Sequence, residues 1–233
     1  MEPAMHPNAD NLIASRFDTV IYDLDGTLID SAPDLAAAAN AMRAARCLAP
    51  LPLAALRPMV GSGARGMVGM ALGVAPGDVG FDELRHEFLE RYQGALLTHT
   101  TVFADMVPVL ERLDARGRRW GIVTNKAERF TQPVVHGLRL HERAAVVISG
   151  DTTPHSKPHP EPLLEAARRV GVACASCIYV GDDHRDMQAG RAAGMTTLAA
   201  AWGYLGQDQP IETWGAHAVL AEPAALLHWL QLA

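Results

Sequence analysis

Five short apolar runs punctuate the chain, at Thr19–Tyr22, Trp120–Val123, Ala145–Ile148, Cys177–Val180 and Thr196–Ala200. Each is only four or five residues long, and each is rich in Val and Ile or bounded by turn residues. Runs of that length and composition read as strands buried on both faces. Between them lie stretches with helical periodicity: Asp105–Arg116, Glu128–Leu138, Pro160–Val170 and Asp186–Ala193. Strand–helix alternation predicts an α/β fold, a Rossmann-like doubly wound sheet of mostly parallel strands. The segment Trp214–Ala233 adds a short strand at AHAVL and a closing helix. In such sheets ligands gather beyond the carboxyl ends of the strands.

The rhythm breaks after the first strand. From Asp30 to about Thr100 the pattern is helical throughout. SAPDLAAAANAMRAAR opens with Ser31 as an N-cap and Pro33 in the first turn, where proline is tolerated. FDELRHEFLERYQGAL sets Phe81, Leu84, Phe88, Leu89 and Tyr92 along one helical face. The expected organisation is an α/β core at 16–30 and 101–233, an inserted helical cap at 31–100 able to cover the sheet's active end, and a disordered tail at 1–15.

Composition narrows the setting. The chain has 233 residues, about half hydrophobic and a fifth charged, and a net charge of −6. With no block of Lys and Arg, that balance excludes a general nucleic-acid binder. No apolar run approaches ~18 residues, so no membrane span is expected. The opening MEPAMHPNADNLIAS lacks the basic and apolar regions of a secretion signal, and Met5 is a second candidate start. Three cysteines, Cys47, Cys174 and Cys177, form an odd and sparse set, which fits a reducing cytoplasm. Cys174 and Cys177 have the spacing of half a zinc motif, but no second ligand pair accompanies them, so both read as structural. His155 and His159 likewise lack a third partner at metal spacing.

The candidate chemistry sits at the strand ends. Asp23 and Asp25 follow the first strand two residues apart, which places both carboxylates on one face of an extended chain. One could attack a substrate while the other handles protons. Gly26 permits a sharp exit from the strand, and Thr27 offers a hydroxyl and an amide to an anion. Thr124 and Asn125 end the second strand with neutral donors suited to phosphate oxygens. Lys157 is fixed in a proline-flanked loop. Asp182, Asp183 and Asp186 end a further strand and begin a helix, where acids are favoured, but three exceed what capping requires. Hard oxygen ligands from two strand ends suit Mg²⁺, which takes a few carboxylates alongside substrate phosphate. Two carboxylates ~4 Å apart repel by about 4 kcal/mol at an effective dielectric of ~20. Mg²⁺ and Lys157 are the available counter-charges.

DLDGT, TN, KP and GDDHRD occur in the order of the four motifs of the haloacid dehalogenase-like hydrolases, and from Thr19 to the C-terminus the chain resembles that family, helical cap included. It is similar to the phosphoglycolate-phosphatase-like branch. GSGARGMV, FLERYQ, VTNKAERF, SKPHPEPL, GDDHRDMQAGRAAG and WGAHAVL are similar in more detail to the N-acetylmuramic acid 6-phosphate phosphatases of bacterial cell-wall recycling. The resemblance implies a cytoplasmic, Mg²⁺-dependent hydrolase of a small phosphomonoester, monomeric or homodimeric. Asp23 would be the nucleophile that becomes an aspartyl-phosphate, and Asp25 the acid and then the base. Thr124 and Asn125, with Gly26 and Thr27, would hold phosphoryl oxygens, and Lys157 would stabilise charge. Asp23, Asp182 and the Asp25 carbonyl would ligate the metal, with Asp183 and Asp186 behind them. His159 departs from the acidic or small residue often found at its position, which bears on substrate fit rather than mechanism. In the cap, Ser62, Gly63 and Arg65 form a loop whose arginine could fork onto a carboxylate. Phosphoglycolate and N-acetylmuramic acid 6-phosphate both carry one, so Arg65 does not choose between them, and as a surface arginine it needs no ligand at all.

Three alternatives share the scaffold. Carbon–halogen hydrolysis needs the nucleophile but neither Asp25 nor the acids of 182–186. A sugar-phosphate mutase would use the same acids. A binding module that had lost turnover would lack the nucleophile, acid or lysine, and all three are present.

Overall fold

The computed structural model describes residues 17–206 and 209–232; the expected tail at 1–15 lies outside them. Six parallel strands form one sheet in the order β5-β4-β1-β6-β7-β8. These are β1 (Thr19–Tyr22), β4 (Arg119–Val123), β5 (Val147–Ile148), β6 (Cys177–Gly181), β7 (Thr196–Ala200) and β8 (Ala218–Leu220). Each overlaps an apolar run of the sequence, as expected where a parallel sheet is covered by helices on both faces. Alternation along β1 sends Val20 and Tyr22 to one face and Ile21 to the other. On the first face lie α5 (Met106–Ala115), α6 (Glu128–Gly137) and α9 (Ala225–Trp229); on the second lie α7 (Glu161–Val170) and α8 (His184–Ala192).

The chain winds outward from β1 to β5 on one side and then returns to the other side of β1 for β6. Ligands in open α/β sheets bind where the winding reverses. Here β1 has β4 and β6 as its neighbours, with Tyr22 in register with both Ile122 and Val180. The three strand ends that carry Asp23, Thr124 and Asp182 are therefore adjacent.

Between β2 (Ile29–Asp30) and β3 (Thr101–Val102) stand four helices: α1 (Ala32–Ala44), α2 (Leu53–Leu56), α3 (Gly63–Leu72) and α4 (Phe81–Gln93). Leu35, Ala39 and Met42 of α1 pack with Met67 and Val68 of α3 and with Phe81, Phe88 and Tyr92 of α4. Phe130 of α6 and Tyr204, in the loop after β7, join this cluster from the α/β core. β2 and β3 pair antiparallel, two residues each, a ribbon too short for the sequence pattern to reveal. Buried Asp34 ties the segment's exit to its entry by accepting from the His99 and Thr100 amides, both at 2.9 Å.

Candidate active site

The chain leaves the sheet at Tyr22, and Gly26, with φ of +87°, turns it so sharply that Gly26 N–H returns to the Ile29 carbonyl at 2.9 Å. Asp23 and Asp25 are thus not on one extended strand as the spacing suggested, yet both line the same cavity. Asp23 faces Lys157, whose Nζ lies 2.9 Å from its carboxylate and 2.7 Å from that of Asp186. The same ammonium donates to Tyr179 Oη at 2.9 Å and the Val123 carbonyl at 3.1 Å. Burial alone would pull the Lys157 ammonium down, but Asp186 and Asp23 outweigh it and hold it above its ordinary value.

Oxygens of Asp23, Asp182 and Asp186 all lie within 4.8 Å of one another. Burial pushes the Asp23 carboxyl up to about 7, against the pull of Lys157 and with the push of Asp186. Asp182 is driven well above the carboxylate range, first by burial and then by Asp23 and Asp186. Its partners are neutral: Thr27 Oγ1 donates at 2.7 Å and Tyr204 N–H at 2.8 Å. Lys157 therefore compensates two of the three acids and leaves Asp182 without a cation. That imbalance, on a set of hard oxygens, fits a divalent ion such as Mg²⁺.

The remaining residues fall into place or out of it. Thr124 is buried; its Oγ1 accepts from Lys126 N–H at 3.1 Å, leaving its own proton free to donate into the cavity it lines. Asn125 lines the cavity and also holds the lysine loop. Its carboxamide donates to the Lys157 carbonyl and accepts from the Lys157 N–H, both at 2.9 Å, so it fixes the lysine loop rather than offering that donor to phosphate. Gly26 and Thr27 do not line the cavity, and the Thr27 hydroxyl is committed to Asp182. A Cβ at Gly26 would collide with the Asp182 carboxylate, so glycine here serves close approach. Asp183 caps α8 by accepting from Arg185 N–H at 2.8 Å and pairs with the Arg185 guanidinium at 2.7 Å. Asp186 completes the capping box and, through Lys157 and a 2.9 Å bond from Tyr179, stands behind Asp23. Ser31 makes no side-chain cap for α1; its hydroxyl turns to Asp25 instead. Cys47, Cys174 and Cys177 are free thiols. His159 accepts from Glu161 N–H at 3.2 Å at the start of α7, away from the cavity.

Ser62, Gly63 and Arg65 line the cavity, which measures about 550 Å³, but from the end of a 3₁₀ turn and the first turn of α3 rather than from a loop. Its walls include Phe81, Phe88 and Leu89 from α4 and Phe130 from α6. Sequence reasoning missed two buried or half-buried cations. Lys126, directly after Thr124-Asn125, pairs with Asp25 at 3.0 Å. Arg185, within GDDHRD, bridges Asp183 and the Gly61 carbonyl. Both sat inside quoted motifs, and being charged beside a cluster of acids was the available signal. Arg85 and Arg129 also line the cavity.

A family model for haloacid dehalogenase-like hydrolases matches residues 20–200. A phosphoglycolate phosphatase of Xanthomonas campestris pv. campestris is 48% identical over 209 residues, 89% of this chain and 93% of its own. An N-acetylmuramic acid 6-phosphate phosphatase of Pseudomonas putida is 41% identical over 211 residues, covering 91% and 95%. Among solved structures, a haloacid dehalogenase-like family protein of Streptococcus pneumoniae superposes with a TM-score of 0.79 at 20% identity, over 93% of this chain and 100% of that one, a likeness of fold alone. Among the described residues no helix is long and apolar enough to cross a membrane.

Proposed function

The chain belongs to the haloacid dehalogenase-like hydrolases and is a phosphoric monoester hydrolase, and we propose that it works through an aspartyl-phosphate at Asp23 with Mg²⁺ as cofactor. The observation that carries this reading is the Asp23 carboxylate held 2.9 Å from Lys157 on the cavity wall. An Asp23 oxygen attacks phosphorus and the bond to the ester oxygen breaks. Asp25 gives its proton to the departing alkoxide, then takes one from the water that cleaves the aspartyl-phosphate and returns Asp23. The Thr124 hydroxyl and Lys157 hold the phosphoryl oxygens as charge develops. Asp23, Asp182 and the Asp25 carbonyl would hold Mg²⁺, with Asp186 orienting Lys157 behind them. When bound, the ion supplies the positive charge that the acid cluster and a dianionic phosphate need together. Carbon–halogen cleavage would leave Asp25 and Asp182 without work.

For the substrate we favour a carboxylated phosphate ester of sugar size, N-acetylmuramic acid 6-phosphate, which would place the enzyme in cytoplasmic cell-wall sugar recycling. A cavity of about 550 Å³ lies in the range that encloses drug-sized ligands, more room than phosphoglycolate fills. Its aromatic wall suits a sugar's apolar face and methyl groups, and Arg65 suits a carboxylate. The second reading, 2-phosphoglycolate, is favoured by the Xanthomonas relative. Side-by-side kcat/KM values for both compounds and common sugar phosphates, with Asp23→Asn as control, decide. Preference for an ester without a carboxylate would overturn the substrate assignment, and turnover by Asp23→Asn the mechanism.

A further inference from the structure

Lys126 has no role in the reaction as written, yet it makes the closest cationic contact to Asp25. Its Nζ lies 3.0 and 3.1 Å from the two Asp25 oxygens. The same ammonium donates to the Tyr92 hydroxyl at 2.7 Å and sits 4.7 Å from the centre of that ring. The Lys126 side chain is 8% exposed, and Tyr92 is 2% exposed. Contacting both oxygens fixes the plane of the carboxylate as well as its position. The lysine's backbone is fastened in turn: its carbonyl accepts from Gly150 N–H at 2.8 Å and from Thr131 Oγ1 at 2.9 Å. Asp25 also accepts from Ser31 Oγ, on the oxygen that lies 3.0 Å from Lys126.

The two ends of this connection belong to different parts of the molecule. Lys126 follows β4 at the sheet's active edge, whereas Tyr92 is on α4 of the inserted helices. A buried ion pair is a weak device for stability, because the desolvation of both charges offsets most of their attraction. Its value here is geometric. We propose that Lys126 and Tyr92 form a positioning pair that aims the Asp25 carboxyl along the line of proton transfer, so that proton exchange at Asp25 requires α4 to be docked. Tyr92 makes no use of charge in this arrangement; its hydroxyl accepts one ammonium N–H and thereby points the other two at Asp25.

The inference rests on Asp25 serving as acid and base, and leaving-group dependence tests it. Lys126→Met and Tyr92→Phe are compared with wild type on an alkyl phosphate, whose leaving group needs a proton, and on p-nitrophenyl phosphate, whose leaving group does not. Lys126→Met is expected to lose about 10² or more in kcat on the alkyl ester, the range of general acid–base contributions. On the aryl ester the loss stays within about tenfold, and KM moves little. Tyr92→Phe, which removes one hydroxyl and leaves packing intact, shows the same selectivity with a smaller loss and adds nothing to Lys126→Met in the double variant. Equal losses on both esters overturn the proposal while the hydrolytic mechanism stands. So does additivity of the two variants. A wild type that releases phosphate from neither ester overturns the mechanism and this proposal with it. If Lys126→Met does not fold, as circular dichroism reads, the selectivity of Tyr92→Phe alone decides.

Discussion

Replacing Lys157 by methionine keeps an unbranched side chain one atom shorter and removes the charge from the centre of the acid cluster. Two ion pairs vanish, at 2.9 Å to Asp23 and 2.7 Å to Asp186. At an effective dielectric of ~20 each represents about 6 kcal/mol of attraction. Much of that is returned, because the buried ammonium no longer has to be stripped of water. Leaving the partner of a buried pair uncompensated costs about 3–5 kcal/mol net. For a chain of this size, about 2–4 °C of melting temperature accompanies each kcal/mol, so Tm should fall by roughly 6 to 20 °C. The sign with pH is fixed. Burial already holds the Asp23 carboxyl at about 7, above its unfolded value, so the folded state binds more protons than the unfolded between about pH 4 and 7. Stability contributed by such groups falls as pH rises through that window. Losing Lys157 removes the pull that opposes burial at Asp23 and raises that carboxyl further, so the penalty of Lys157→Met should be larger at pH 8 than at pH 5. Thermal or urea denaturation at both pH values reads this, and kcat should drop by at least the 10²–10³ typical of a lost charge-stabilising donor. A variant within 1 kcal/mol of wild type at both pH values would refute the claim that this lysine holds the acids together.

Three further outcomes follow from the same geometry. Mg²⁺ binding to the metal-free protein should release protons near pH 6–7, since the Asp23 carboxyl stands at about 7 without a metal; titration calorimetry in two buffers of different ionisation enthalpy measures it, and identical apparent enthalpies would contradict it. Gly26→Ala meets both a φ of +87° and the Asp182 carboxylate; a loss of about 1–3 kcal/mol should come with weaker Mg²⁺ binding, and unchanged affinity would show that Asp182 is not the ion's ligand. Asn125→Ala should lower kcat while leaving inhibition by inorganic phosphate within about twofold, a factor worth only ~0.4 kcal/mol. A tenfold weaker inhibition would return Asn125 to the phosphate.

Strand positions were legible because a sheet covered on both faces demands an unbroken apolar run. The bounds of Thr19–Tyr22 and Thr196–Ala200 were readable to the residue. Ala145–Ile148 was read too long: only Val147 and Ile148 form the ladder, although the Trp120 carbonyl still receives Ala145 N–H at 2.7 Å. The face Phe81, Phe88 and Tyr92 was legible from helical spacing, while Leu84 and Leu89 on the same face are only half-buried. The direction of short polar side chains was not legible. Whether Thr27 points at a ligand or at Asp182, 155 positions away, depends on how the β1 exit turns against β6. The carboxamide of Asn125 finds the Lys157 loop for the same kind of reason, a contact made by the crossover through β5. Tyr204 lay in no motif. Its N–H holds Asp182, and its hydroxyl receives the Ser31 and Ala32 amides at 2.8 and 3.1 Å, contacts that only the assembled fold brings together.

The two-residue ribbon of β2 and β3 has a consequence for how such a protein can diversify. Chain enters and leaves the helical insertion through paired neighbours, so the sheet experiences the insertion as one closed loop. Doubling the length of a closed loop adds only about 0.6 kcal/mol of closure entropy. Helices can therefore be lengthened, shortened or exchanged above that joint while the parallel register below it stays as it is. New chemical tastes can be tried in the roof without rebuilding the floor on which the reaction runs.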